Sequence, residues 1–149
     1  MKDATLVDRV LALRGCTRLG ARFVGRAGEA EFHPYDTVLD RALASAAALQ
    51  ARGIRAGDRV ALILPTGIGF LDAFLGAMLA GAIPAALYPP VRLGRLDEYY
   101  ARTRRMLQTI GARTLITEPR ISRLLGTAVE GVHTLEGTID AGVLATGAS

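Results

Sequence analysis

The sequence holds 149 residues, half of them apolar and 21% charged, which excludes disorder, collagen and coiled coil and leaves room for roughly one domain. A lone cysteine, Cys16, excludes an internal disulfide, and with only His33 and His133 beside it there is no spacing of metal ligands to read. The net charge of +4 comes from 17 arginines and one lysine, Lys2, scattered over several segments without a zinc finger, a tryptophan or an aromatic string, so no nucleic-acid partner is expected.

Met1-Lys2-Asp3 opens with a charge pair and no long apolar region follows, so a secretory signal is not expected and the cytoplasm is the expected compartment. Leu6, Val10 and Leu13 recur at helical spacing, with Asp3 or Thr5 as cap and Gly15 as stop, and predict a short amphipathic helix. Residues 21–32 alternate about a Gly-bearing turn and predict a β-hairpin. Pro34 can start a helix, whose apolar stripe is Leu39, Leu43, Ala46 and Leu49 and whose stop is Arg52-Gly53.

After the Gly57-Asp58 turn, Val60-Ala61-Leu62-Ile63-Leu64 is a continuous apolar run, as expected of a parallel strand covered on both faces. Residues 67–80 are apolar nearly all round except at Asp72, which predicts a helix buried on more than one side. The 19 residues from 73 to 91 carry no charge, yet Gly76, Gly81, Pro84, Pro89 and Pro90 interrupt them, so no membrane span is expected. Ile83-Pro84-Ala85-Ala86-Leu87 predicts a second strand, and Tyr88-Pro89-Pro90 an extended exit.

Leu96, Tyr100, Thr103, Leu107 and Ile110 line one face of a further helix, with Glu98 and Arg102 as an i,i+4 pair and Gly111 as its stop. Arg113-Thr114-Leu115-Ile116-Thr117 predicts a third strand and residues 119–125 one or two helical turns ending at Gly126. Residues 127–149 show no sustained period and read as a weakly specified tail. Strand, helix, strand, helix, strand is the βαβαβ arrangement, so the fold class is α/β with a parallel sheet, preceded by a helix and a hairpin.

Pro65-Thr66-Gly67-Ile68-Gly69 lies where a strand meets a helix, the place at which unpaired N–H groups meet anions. The pattern lacks the third glycine of a dinucleotide loop, since position 72 is Asp, and the lysine of a P-loop, so a plain turn that uses Gly for close packing is the better reading. His33 and His133 read as surface or turn residues, and Cys16 as a half-buried structural residue with no partner base. The arginines at 92, 95, 102, 104 and 105 read as a solvated face, the last four on one helix.

The run Gly57-Asp58-Arg59-Val60-Ala61-Leu62-Ile63-Leu64-Pro65, then Phe70-Leu71-Asp72-Ala73-Phe74 and Leu79-Ala80-Gly81-Ala82-Ile83-Pro84, then Leu87-Tyr88-Pro89-Pro90, resembles the opening of adenylate-forming enzymes. The helix at 35–53, the Arg-rich helix at 99–107 and Gly111-Ala112-Arg113-Thr114-Leu115-Ile116-Thr117 agree; the whole looks most like fatty acyl-AMP ligases and the related long-chain acyl-CoA synthetases, and Tyr-Pro-Pro resembles the fatty acyl-AMP ligase branch. The resemblance covers about residues 5–126 and implies that residues 1–126 are the N-terminal portion of the AMP-binding large domain, followed by the 127–149 tail.

The activity so implied joins a fatty acid to ATP as acyl-AMP, with magnesium assisting, and then passes the acyl group to the thiol of an acyl carrier protein or of CoA. No catalytic residue of that family matches a position here: the Ser/Thr/Gly-rich phosphate loop ending in Pro-Lys-Gly is absent, and Ala145-Thr146-Gly147-Ala148-Ser149 matches it only in composition. The resemblance therefore implies a piece that is inactive and binds no cofactor alone and is completed by the remainder of the enzyme. Pro65, Thr66, Gly67 and Phe70 are its candidate pocket-wall residues. The other reading is a stand-alone, non-catalytic module that keeps the adenylating scaffold to bind a partner or lipid.

Overall fold

Thr5 caps the first helix, α1 (Leu6–Leu11), by a reciprocal capping box in which its hydroxyl accepts from the Asp8 N–H and Asp8 accepts from the Thr5 N–H. The computed structural model describes residues 4–90 and 95–145 of the chain. After α1, strands β1 (Gly20–Val24) and β2 (Ala30–Pro34) pair antiparallel, Gly20 opposite Pro34 and Val24 opposite Ala30. Arg22 lies 5.1 Å over the Phe32 ring, and Phe23 meets the His33 ring edge-on at 6.0 Å. His33 is thus a half-buried strand residue, 2.8 Å from Glu31, rather than a surface or turn residue, because the hairpin runs two residues further than its alternation shows.

Helix α2 (Tyr35–Ala51) follows directly and packs against α3 (Ile68–Leu79). Its buried stripe is Val38, Leu39, Ala42, Ser45, Ala46 and Leu49, while Leu43 is only half-buried. The stripe turns toward the small residues because α3 presents Gly76 at the contact. A Cβ on Gly76 would lie 2.5 Å from the Ser45 Cβ and 3.3 Å from the Ala42 carbonyl oxygen, so the two backbones meet at a spacing that only glycine allows.

The sheet contains β3 (Arg59–Ile63), β4 (Ile83–Leu87), β5 (Thr114–Thr117) and β6 (Gly137–Asp140) in the order β4-β3-β5-β6, all parallel. Strand β3 is central. Val60, Leu62 and Leu64 join Ala46, Leu49, Ala73 and Ala77 of α2 and α3 on one face. On the other face Ala61 and Ile63 join Leu107 of α4 (Leu96–Ile110) and Ile121 and Leu125 of α5 (Pro119–Leu125). This double covering is the reason the strand shows no polar alternation. Pro84, with no N–H to give to a ladder, stands in β4, at one edge of the described sheet.

Strand β6 and the short 3₁₀ turns at Gly126–Ala128 and Ala141–Val143 fall in the segment without sequence period. They form because tertiary contacts supply what periodicity does not. β6 pairs with β5, Ile116 opposite Ile139, and Leu144 and Ala141 sink into the α2–α3 face. The outer side of α1 and the hairpin leaves Leu6, Leu11, Leu19, Val24 and Phe32 exposed. No helix among the described residues is long and apolar enough to cross a membrane.

The amino ends of the strands are tied together. Arg113, just before β5, places Nη1 2.5 Å from Asp58 Oδ2 and Nε 2.7 Å from Glu136 Oε2, and so joins the turns that lead into β3 and β6. The Arg55 N–H and the Arg113 guanidinium hold the Asp58 carboxyl below the usual carboxylate range. A carboxyl depressed in the folded state adds stability above its unfolded pKa and loses it as pH falls through the folded one. Asp58→Asn is therefore expected to lower stability by about 1 kcal/mol at neutral pH and to make acid unfolding below about pH 4 less steep, read from urea midpoints across pH.

Candidate functional site

At the carboxyl ends the sheet is open. The chain leaves β3 to form β4 on one side, then returns across β3 to form β5 on the other. Loops from β3 and β5 therefore diverge to opposite faces, and that divergence is where open α/β sheets bind ligands. A cleft of about 460 Å3 occupies the place. Leu64, Pro65 and Gly67 line it from β3, Glu118 and Pro119 from β5, Asp140 to Gly142 from β6, and Ile68, Phe70 and Asp72 from the start of α3.

Three of the four candidate residues meet here. Pro65, Gly67 and Phe70 line the cleft, whereas Thr66 stands exposed in the same turn without lining it. Gly67 precedes α3 with extended backbone and no side-chain cap, and no acidic residue sits in the helix's first turn. Phe70 stacks on Phe74 with centroids 5.6 Å apart, which fixes its ring against the cleft wall.

The charged lining was not singled out by the sequence pattern. Arg41 of α2 reaches across to Asp72 of α3 in a two-point bond, Nε to Oδ1 at 2.9 Å and Nη2 to Oδ2 at 2.6 Å. Asp72 is 2% exposed and Arg41 35%. The carboxylate raises the Arg41 pKa, so the guanidinium stays charged at any physiological pH. A signal existed: a single acid in an otherwise apolar helix has to find a cation. What the sequence lacks is which of its arginines answers.

Among the described residues Arg41 is the cleft's one cation and is already neutralised by Asp72, while Glu118 and Asp140 add two carboxylates. Asp140 spends Oδ1 on the Gly142 N–H at 2.9 Å. Apolar groups supply most of the remaining wall. Such a lining suits an apolar group on its apolar side and does not fit the phosphates of a nucleotide; no group of three metal-ligating side chains occurs among the described residues.

Other candidates lie elsewhere. Cys16 is half-buried in the α1–β1 connection and His133 is exposed ahead of β6, so neither reaches the cleft. Arg95 precedes α4 and takes Glu98 at 3.5 Å, while Arg102 donates to the Tyr88 hydroxyl at 3.1 Å in place of the expected Glu98–Arg102 pair. Arg104 departs from the solvated face: it is half-buried, with Nη2 on the Thr127 carbonyl. Tyr99 donates to the Tyr88 carbonyl at 3.1 Å, and burial raises its pKa.

A doubly wound α/β unit with a cleft at its strand-order reversal is a ligand-binding scaffold of wide use, and comparison with known proteins narrows it. The model of the AMP-binding enzyme family matches residues 12–146, and the chain belongs to that family. It is 33% identical over 98 residues to a long-chain-fatty-acid–AMP ligase of Mycolicibacterium smegmatis, a match covering 64% of this chain and 15% of that protein. To a salicyl-AMP ligase of Mycobacterium tuberculosis it is 42% identical over 67 residues, 45% of this chain and 12% of that one.

Among solved structures, one from work on the fatty acyl-adenylate ligases of E. coli and L. pneumophila superimposes with a TM-score of 0.83 at 27% identity, covering 95% of this chain and 25% of its own. An adenylation domain of a keto acid-selecting NRPS module shares the fold with a TM-score of 0.80. The chain thus spans about a quarter of the solved relatives and less of the curated ones.

Proposed function

We propose that this chain is the N-terminal portion of the adenylating domain of a fatty acyl-AMP ligase, and that its cleft forms one wall of the space for the acyl group. The observation that supports this is the largely apolar lining, with Arg41 paired to Asp72, at the strand-order reversal of a chain in the AMP-binding family. In such an enzyme the fatty acid carboxylate attacks the α-phosphate of ATP, pyrophosphate leaves, and the acyl group then passes to the thiol of a carrier protein or CoA. That chemistry depends on charge placed against the phosphates. The cleft's cation among the described residues, Arg41, is already paired with Asp72, so the groups that grip the phosphates of ATP are assigned to the remainder of the enzyme and the chain by itself is inactive.

The named relatives divide between fatty acids and salicylate, and the acyl class is what the test must decide. The gene product that contains this chain is incubated with ATP and either a fatty acid series or aryl acids, and pyrophosphate release and acyl-AMP mass are read. Fatty acid-dependent release is expected, with Phe70→Ala shifting the preferred chain length. Preference for aryl acids, or no adenylate from any carboxylate, would overturn the proposal; the latter result would favour a non-catalytic module.

A further inference from the structure

The chain's net charge is concentrated in one stretch. Between residues 95 and 125 there are seven arginines against three acids, a net +4, while all other positions balance at eleven bases and eleven acids. Arg113 faces the amino ends of the strands and is neutralised there by Asp58 and Glu136. Arg95 has Glu98. The rest lie on α4 and α5, which cover the same face of the sheet and share one apolar cluster through Leu107, Ile121 and Leu125.

Arg104 ties the two helices by bonding the Thr127 carbonyl just beyond α5. Arg102 and Arg105 stand exposed on successive turns of α4, and Arg120 and Arg123 stand exposed at i,i+3 on α5. Among the described residues, Arg105, Arg120 and Arg123 have no acidic partner in an ion pair. Four like charges on two helices that cover the same face of the sheet repel one another, and a surface that brings carboxylates to them offers relief.

We infer that the outer face of α4 and α5 docks an acidic protein surface, with Arg105, Arg120 and Arg123 as its anchors. A lipid surface fits less well: Leu124, 38% exposed, is the one large apolar side chain exposed on α4 and α5, and α5 uses Ile121 and Leu125 in the core. A nucleic acid fits less well because Tyr99 and Tyr100 are half-buried, which leaves Tyr88, 49% exposed with its hydroxyl on Arg102, as the single exposed tyrosine ring among the described residues. This inference stands independently of the adenylation reading.

The test uses the gene product that contains this chain and fluorescein-labelled polyglutamate as the acidic probe, with anisotropy as readout. The R105E/R120E/R123E chain is expected to lose about tenfold or more in affinity, and the wild-type affinity to fall with salt. The charge-matched R9E/R18E/R26E chain, altered at exposed sites elsewhere, should stay within about twofold of wild type. Circular dichroism confirms folding, and R105Q/R120Q/R123Q replaces the reversal if that variant unfolds. Equal losses in both triples would overturn the inference, as would tighter binding to phosphatidylserine vesicles or to a single-stranded oligonucleotide than to polyglutamate.

Discussion

Gly76→Ala is expected to destabilise the chain by about 1–3 kcal/mol, although alanine is the better helix former by about 1 kcal/mol. The new methyl would sit 2.5 Å from the Ser45 Cβ, with the Ala42 carbonyl oxygen and the Ala46 nitrogen each at 3.3 Å. Two of the three obstacles are backbone, so α2 and α3 must part, and the contact that would open carries Ala42, Ala46, Ala73 and Ala77. Urea unfolding measures the effect. Ser45→Gly should partly rescue it by removing the nearest atom, giving a favourable coupling in the double-mutant cycle. A Gly76→Ala chain as stable as wild type would mean that the helices are not pressed together at this point.

Arg41→Ala should cost more than Asp72→Ala, about 3 kcal/mol against about 2 kcal/mol, because the two ends of the ion pair differ in burial. Asp72 is 2% exposed and would be left as an uncompensated carboxylate within the protein, whereas an orphaned Arg41, 35% exposed, can turn its guanidinium to water. Urea unfolding of the two variants at neutral pH measures the difference. Replacing both residues by apolar ones, Arg41→Met with Asp72→Leu, should recover most of the stability. Because the pair bridges α2 and α3 at the cleft wall, its loss should also loosen Phe70, which hydrogen exchange of the first turn of α3 would report.

The elements with strong local signals stand where the sequence places them. Gly111 closes α4 in the left-handed conformation, Gly57 and Gly81 turn with positive φ on either side of the central βα unit, and Pro119 opens α5. The run at 60–64 is buried on both faces, as its unbroken hydrophobicity requires. The candidate site was legible in part: Pro65, Gly67 and Phe70 could be named because a strand-to-helix turn is a local pattern.

The amino-acid sequence by itself determined the class of fold, the order of its helices and first five strands, and membership in a family of adenylate-forming enzymes, since periodicity, caps and motifs are properties of neighbouring residues. Tertiary structure alone decided that β6 exists, since its four residues gain their backbone partners from β5 and nothing in their own pattern demands a strand. It also decided that Arg41, of all the arginines, neutralises Asp72. That pairing depends on the approach of α2 to α3 at Gly76, a distance that no stretch of sequence contains.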